Sequence, residues 1–198
     1  SRLGRLEELR DRLKAAGSAP GGLGGVAAFD CHVRALGEAW TKSLPLRIEA
    51  RGKADVLAAM QFVEEQRAAG VKTSAYLVGA PSAVELVDEL AASGLPVVFR
   101  VESAFSRPGR DIGRDPEALD TNARYIARVA ASVKRAALAG PAGERHEDPR
   151  MLAILAVRGG MSEARALDAI TRVPAELLGI ADRAGSLAPG KDADFVVL

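Results

Sequence analysis

The sequence is poor in cysteine, in aromatic residues and in net charge, and each shortage excludes a class of function. Cys31 is the only cysteine among 198 residues, so the chain can form neither an internal disulfide nor a thiolate metal cluster. Aromatic residues make up 4% of the chain, too few for the stacking platforms that bind single-stranded nucleic acids. A formal charge of +1 provides no attraction to nucleic acid or to an acidic membrane surface. We therefore expect neither nucleic acid nor membrane as a partner.

Long apolar runs and targeting signals are also missing. No segment approaches the ~20 apolar residues that a membrane-spanning helix needs, and the N-terminal region has no signal-peptide pattern. A cytoplasmic location is therefore favoured, although the sequence does not fix the compartment. The chain begins at Ser1 within a helical pattern and has no initiator methionine, from which we expect that the parent protein has upstream residues.

The stretch Leu44–Gly79 reads as strand, helix, strand, and the rest of the chain is interpreted against it. Apolar residues occupy every second position of Leu46–Ala50, the period of an extended segment. Lys53–Ala69 has apolar residues at helical spacing, and Gly70 ends this helix because glycine readily adopts the left-handed conformation. Thr73–Val78 is a second short apolar run. The unit predicts two parallel strands joined by a right-handed crossover.

The pattern continues downstream. Helices are predicted at Pro81–Ala92 and Glu117–Ala131, and further strands at Leu95–Val101 and Val133–Ala139. Residues 1–43 are mainly helical in pattern and precede the first strand. Four strands that alternate with helices predict an α/β fold with a parallel sheet.

Two charged loops follow the last two predicted strands. Glu102–Asp115 either contacts a substrate, as loops after barrel strands often do, or is a solvated loop of internally paired charges. Gly140–Asp148 contains His146 among three carboxylates, which is either an unconventional metal site or a solvated loop. In the second case Asp148 caps a helix over Pro149–Arg158.

The most specific pattern lies in the tail, Gly159–Leu198. Ser162 is placed to cap a helix that runs to Ile170, and Pro174 opens a second short helix. Spaced glycines then lead through a turn into a terminal strand. This tail resembles the C-terminal signature of the metal-dependent amidohydrolases, the superfamily of imidazolonepropionase and dihydroorotase.

The unit Leu44–Gly79 is similar to a unit of the same superfamily. The resemblance implies an α/β fold that is the C-terminal half, strands 5–8, of a (β/α)8 TIM-type barrel, with a terminal strand that belongs to a small β-sandwich. It divides the chain into a helical lead-in at 1–43, a half-barrel of βα units at 44–183 and the sandwich strand at 184–198.

The resemblance also implies where the superfamily holds its metal. A histidine ends the first of these strands, a second histidine ends the next, and an aspartate follows the last. This sequence has Glu49, Val78 and Pro141 at the three positions. Valine and proline side chains bind no metal, and one remaining carboxylate does not make a catalytic centre. We therefore expect no cofactor and assign no metal ligand.

We expect Glu49 to point into the barrel interior, where an unpaired carboxylate is costly. Arg100 and Arg47 lie on the same side of their strands. Our hypothesis is that one of them forms an ion pair with Glu49 in place of the metal.

These features favour a non-catalytic amidohydrolase-like protein that acts as a structural or binding subunit. The alternative is an active hydrolase of amide and other C–N bonds, with Zn or another divalent metal held by residues outside this sequence or by a partner chain. Its candidate catalytic residues here are Glu49, Glu102 and His146. A third possibility is a small molecule bound at the barrel mouth.

A half-barrel has unpaired sheet edges and an exposed face, which need cover. We expect another polypeptide to complete the barrel: an N-terminal half of the same protein, a second copy in a homo-oligomer, or a different subunit.

Overall fold

A computed structural model of the chain describes residues 44–50, 52–68, 74–79, 85–100, 124–125, 127–140 and 148–197, together with Glu8 and Asp11. Its regular elements are β1 (Leu46–Ala50), α1 (Lys53–Ala68), β2 (Ala75–Gly79), α2 (Val87–Ser93), β3 (Val97–Arg100), β4 (Ala136–Ala139), α3 (Pro149–Arg158), α4 (Glu163–Ile170) and α5 (Arg172–Leu178). Residues 127–132 are also helical and lead towards β4. Of the helices that the structure describes, none is both long and apolar enough to cross a membrane.

The four strands form one sheet whose spatial order is the chain order, β1-β2-β3-β4. All three strand pairs are parallel. Consecutive βα units build such a sheet because each crossover places the next strand beside the last one. The predicted α/β fold with a parallel sheet is confirmed.

The two faces of the sheet differ in what covers them. On the outer face, as we call it, Leu77, Val97 and Phe99 are buried under the helices. The same apolar cluster includes Val56 of α1, Leu90 of α2, Leu152 of α3 and Ala166 of α4. Full burial of such a Leu or Val side chain contributes roughly 1.5–3 kcal/mol. The outer face therefore holds the main core, and the opposite, inner face is left for the site.

Side-chain caps begin α3 and α4, as the sequence predicts. Asp148 accepts a hydrogen bond from the backbone N–H of Arg150 at 3.0 Å. Ser162 accepts one from the backbone N–H of Arg165 at 3.4 Å. The first N–H groups of a helix have no intrahelical partner, so each cap satisfies one of them. Both helices have the predicted limits.

Arg165 connects α4 to the chain segment before β4. Its guanidinium donates hydrogen bonds to the backbone carbonyls of Ala131 and Val133, both at 3.0 Å, and to that of Ala130. The last carbonyls of a helix have no intrahelical donor. Arg165 thus terminates the helical residues 127–132 and fixes the start of β4 against α4.

The helix α5 begins at Arg172, two residues before the predicted start at Pro174. Proline is tolerated there because the N–H groups of the first helical turn need no intrahelical acceptor. Gly185 then packs against the start of this helix with a φ of +88°. A Cβ at that position would lie 2.6 Å from the Cβ of Ala175, so the turn after α5 requires glycine.

The turn after Gly185 is held by an ion pair between Arg183 and Asp192 at 2.8 Å. Residues 193–197 have no regular secondary structure, and Phe195, Val196 and Val197 are 65–84% exposed. The expected terminal strand is not formed within the described part of the chain, where these residues have no neighbouring strand to pair with. Its place in a β-sandwich stays a prediction.

Candidate functional site

The inner face of the sheet brings together the described residues that the sequence assigns to the site. The strand register places Glu49 of β1 beside Val78 of β2, and Val78 beside Val98 of β3. Arg100 lies two residues beyond Val98, beside Ala139 of β4. These positions are at the carboxyl ends of the strands, the edge at which barrel enzymes hold their active sites.

Glu49 and Arg100 form an ion pair across this face. Nη1 of Arg100 donates a hydrogen bond to Oε1 of Glu49 at 3.2 Å. Because β1 and β3 both neighbour β2 and not each other, the pair spans β2 at the level of Val78. Val78 has a short apolar side chain and is only 4% exposed. Of the two arginines considered for Glu49, Arg100 forms the pair.

The burial that we expected for Glu49 is not found. Its side chain is 43% exposed and that of Arg100 is 22% exposed. The expectation of a buried carboxylate is therefore wrong for this chain, because the inner face has little cover near the end of β1. Solvent screens such a pair, so its contribution to stability is about 0–1 kcal/mol.

The described strand ends do not fit a divalent metal ion. Val78 offers only hydrocarbon at the second ligand position that the resemblance implies. Across the described ranges, no group of three His, Cys, Asp or Glu side chains is arranged to hold a metal. A metal ion at Glu49 would also approach the positive charge of Arg100. The described side chains on this face suit an ion pair better than a metal site.

Three predicted positions lie outside the described residues. They are Glu102 and His146, the other candidate catalytic residues, and Pro141, at the third ligand position. Their proposed roles stay predictions. Asp148, from the same charged loop as His146, is described and caps α3, and its carboxylate is also paired with the side chain of Arg150. The helix-capping interpretation of Asp148 is confirmed.

Two surface carboxylates away from the inner face have shifted pKa values. Hydrogen bonds from the side chain and backbone of Arg150 lower the pKa of Asp148. A hydrogen bond from the side chain of Arg172 lowers the pKa of Asp168 in the same way. Both aspartates lie at or on surface helices, so these shifts bear on stability and not on chemistry at the strand ends.

A cavity of about 400 Å³ lies between the inner face and α5. Apolar groups form most of its wall, among them Val78, Val98, Ala137, Pro174, Leu177 and Leu178. The polar groups at the cavity are Arg47, Tyr76 and Arg100. The helix α5 forms one wall of the cavity, where Val173 and Leu177 pack against Ala137 of β4.

Tyr76 and the cover that α5 provides are features of this site that the sequence did not predict. The alternation of β2 was sufficient to place Tyr76 on the same face as Val78, two positions later. Nothing in the sequence shows that α5 folds back over this face, since that contact joins segments more than thirty residues apart.

A parallel sheet in chain order, helices on its outer face and charged residues at the strand ends define half of an α/β barrel. The family model described as "Amidohydrolase family" matches residues 55–198. This chain belongs to the amidohydrolase family. The crystal structure of an amidohydrolase from Thermotoga maritima MSB8 is similar to it, with a TM-score of 0.61 and 22% sequence identity. No curated protein matches the chain.

The structural similarity covers 98% of this chain and 46% of the Thermotoga maritima protein. The chain thus spans about half the length of that relative. At 22% identity the likeness concerns the fold alone, and it confirms the half-barrel that the sequence predicted. The superfamily assignment is confirmed as well, whereas the subfamily stays a prediction.

Proposed function

We propose that this chain is a non-catalytic amidohydrolase-like protein, in which the ion pair of Glu49 and Arg100 occupies the place of the family's metal centre. The observation that supports this most is the 3.2 Å contact between the two side chains at the strand ends. A guanidinium and a metal ion compete for the same carboxylate oxygens. The charge that a metal would compensate is already compensated by Arg100.

The residues at the two described ligand positions support one another in this arrangement. Glu49 supplies the acceptor, and Val78, its neighbour in register, has a hydrocarbon side chain that offers Arg100 no competing acceptor. A histidine at position 78 would place an imidazole in the path of the pair. Glu49 and Val78 stand at the two positions where the resemblance implies histidines. Together they favour an ion pair over a metal site with fewer ligands.

We propose that the chain acts as a structural or binding subunit whose inner face is completed by another polypeptide. Among the described strands, β1 and β4 are the edges of an open sheet. Unpaired edges and exposed apolar residues such as Phe195 and Val196 require cover in a stable assembly. The occupant is an N-terminal half of the same protein, a second copy or a different subunit.

A zinc titration with matched variants tests the non-catalytic function. Calorimetry of the full 198-residue chain with Zn²⁺ is expected to show no binding tighter than about 10 µM at Glu49, since one carboxylate beside a cation is a poor site. Arg100→Met removes this cation from beside Glu49 and is expected to increase zinc binding. Arg47→Met removes another arginine of the inner face, one that does not contact Glu49, and is the control.

The alternative function predicts the opposite results. An active C–N hydrolase would bind about one zinc ion per chain, would lose it in Glu49→Gln, and would hydrolyse a cyclic amide such as dihydroorotate with zinc present. Hydrolysis that disappears in Glu49→Gln and not in Arg158→Met, which changes an exposed arginine of α3 outside the cavity, would overturn the proposal. If a partner chain supplies the missing metal ligands, zinc would bind to this chain only when that partner is present.

A further inference from the structure

We propose that the cavity between the inner face and α5 binds a small apolar molecule that carries a carboxylate. Its volume of about 400 Å³ lies within the range of small-ligand sites, roughly 300–1,000 Å³. Such sites combine a mostly apolar wall with a few polar groups that fix orientation. Here the wall comes from three strands and one helix, and the polar groups converge from neighbouring strands.

Arg47 and Tyr76 are the polar pair that selects the ligand. They are partners in the register of β1 and β2, and both line the cavity. In the part of the chain that the structure describes, neither side chain has an ion-pair or hydrogen-bond partner. A guanidinium binds a carboxylate through two parallel hydrogen bonds, and a phenol can donate a third.

The charge at the cavity is positive because only one of its two arginines is neutralised. Arg100 is paired with Glu49 at 3.2 Å, so its charge is compensated. Arg47 has no acidic side chain within ion-pair distance among the described residues. An anion is thus favoured over a neutral or cationic ligand, and the apolar wall favours a hydrocarbon attached to it.

The polar pair lies deeper in the half-barrel than the strand ends, whose residues Val78 and Arg100 line the other end of the same cavity. Arg47 and Tyr76 precede Glu49 and Val78 by two residues, which is about 6.5 Å along a strand. Binding here requires no metal and does not depend on whether the chain is catalytic. Failure of this proposal would therefore leave the non-catalytic function in place, whereas a polypeptide that completes the barrel would compete with the ligand for the same face.

The test uses octanoate and phenylacetate as probes, with octanamide and phenylacetamide as neutral counterparts of the same shape. Acetate serves as a carboxylate without an apolar part. Calorimetry and saturation-transfer NMR on the full chain are expected to show binding of both long carboxylates. The amides are expected to bind about tenfold more weakly, the loss that follows from removing a charged hydrogen bond, and acetate is expected not to bind.

Variants assign the contacts. Arg47→Met is expected to weaken carboxylate binding about tenfold, and Tyr76→Phe about threefold, because the phenol donates one neutral hydrogen bond. Arg158→Met removes an exposed arginine of α3 that does not line the cavity, and is expected to change nothing. A changed circular dichroism spectrum of Arg47→Met would mean that this variant is misfolded. The affinity of Tyr76→Phe and the comparison of carboxylates with amides would then test the proposal.

Three results would overturn the proposal. They are equal affinities for carboxylate and amide, unchanged affinity in both Arg47→Met and Tyr76→Phe, and no binding of any probe at millimolar concentration. If a barrel-completing polypeptide binds instead, and Arg47→Met weakens that complex, the arginine belongs to a protein interface and the cavity has no small ligand of its own.

Discussion

Arg100 of β3 reaches across β2 to hold Glu49 of β1, and the side chain that it passes over is Val78. The ion pair therefore joins two strands that share no backbone hydrogen bonds. It stands at the strand ends, where the resemblance to metal-dependent amidohydrolases places the first two metal ligands. Under the proposed function, this ion pair and a bound metal ion exclude each other.

The energy of the pair is measurable in a double-mutant cycle. Glu49→Gln, Arg100→Met and the double variant are expected to show a coupling free energy of unfolding of at most about 1 kcal/mol, small because both side chains are partly exposed. Urea denaturation provides the values. Strictly additive effects of the two substitutions would show that the contact contributes nothing to folding.

Arg165 is expected to stabilise the fold more than any surface arginine. Arg165→Met leaves three backbone carbonyls without their donor, so the free energy of unfolding is expected to fall by about 1.5–3 kcal/mol. Arg165→Lys is expected to recover only part of this loss, since an ammonium cannot reproduce the planar fork. Arg158→Met, at an exposed position of α3, is the control and is expected to change stability by less than about 0.5 kcal/mol. Equal effects of Arg165→Met and Arg158→Met would contradict this role.

The Asp168–Arg172 pair predicts a loss of stability in acid. The side-chain hydrogen bond from Arg172 holds the pKa of Asp168 below the ordinary value for aspartate, about 3.9. The folded chain thus binds fewer protons than the unfolded chain in this range, so stability rises with pH. The contribution is complete above the ordinary pKa and is lost as pH falls through the lowered one.

Denaturation midpoints between pH 2 and 6 test this sign. Asp168→Asn is expected to flatten the acid limb of the stability profile, because asparagine does not titrate. Arg172→Met, which removes the hydrogen-bond donor of Asp168, is expected to flatten the acid limb in the same way. A steeper acid limb in Asp168→Asn would contradict the assigned direction of the pKa shift.

The exposed tail predicts association. Light scattering with size-exclusion chromatography is expected to show the chain as an oligomer, or as a complex with a barrel-completing polypeptide. Val196→Asp is expected to weaken that association, since Val196 is 81% exposed in the isolated chain. Leu167→Asp changes an equally apolar side chain, 60% exposed on α4, and is the control. A compact, stable monomer at all concentrations would contradict the proposed need for a partner.

The fold was predictable where local signals and tertiary structure agree. The limits of α3 followed from Asp148, Pro149 and the glycines after Arg158, all of which act within one helical turn. The inner and outer faces of β1 followed from the period of two. The terminal strand at 193–197 could not be established from pattern alone, since a strand exists only beside a partner.

The site was predictable in its residues and not in its geometry. The alternation of side chains along each strand places Glu49, Arg47 and Arg100 on one face. Which arginine pairs with Glu49 depends on the offset between β1 and β3, and local sequence does not encode that offset. The exposure of Glu49 was predicted wrongly for a related reason. Burial at a strand end depends on what covers the inner face, and in the described chain α5 covers it at Ala137 but leaves Glu49 43% exposed.

The metal content of the purified chain tests the central claim most directly. Protein produced in medium supplemented with zinc and manganese, freed of loosely bound ions and measured by plasma mass spectrometry, is expected to contain far less than one divalent ion per chain. About one ion per chain in the unmodified protein, lost in Glu49→Gln and kept in Arg47→Met, would contradict the account.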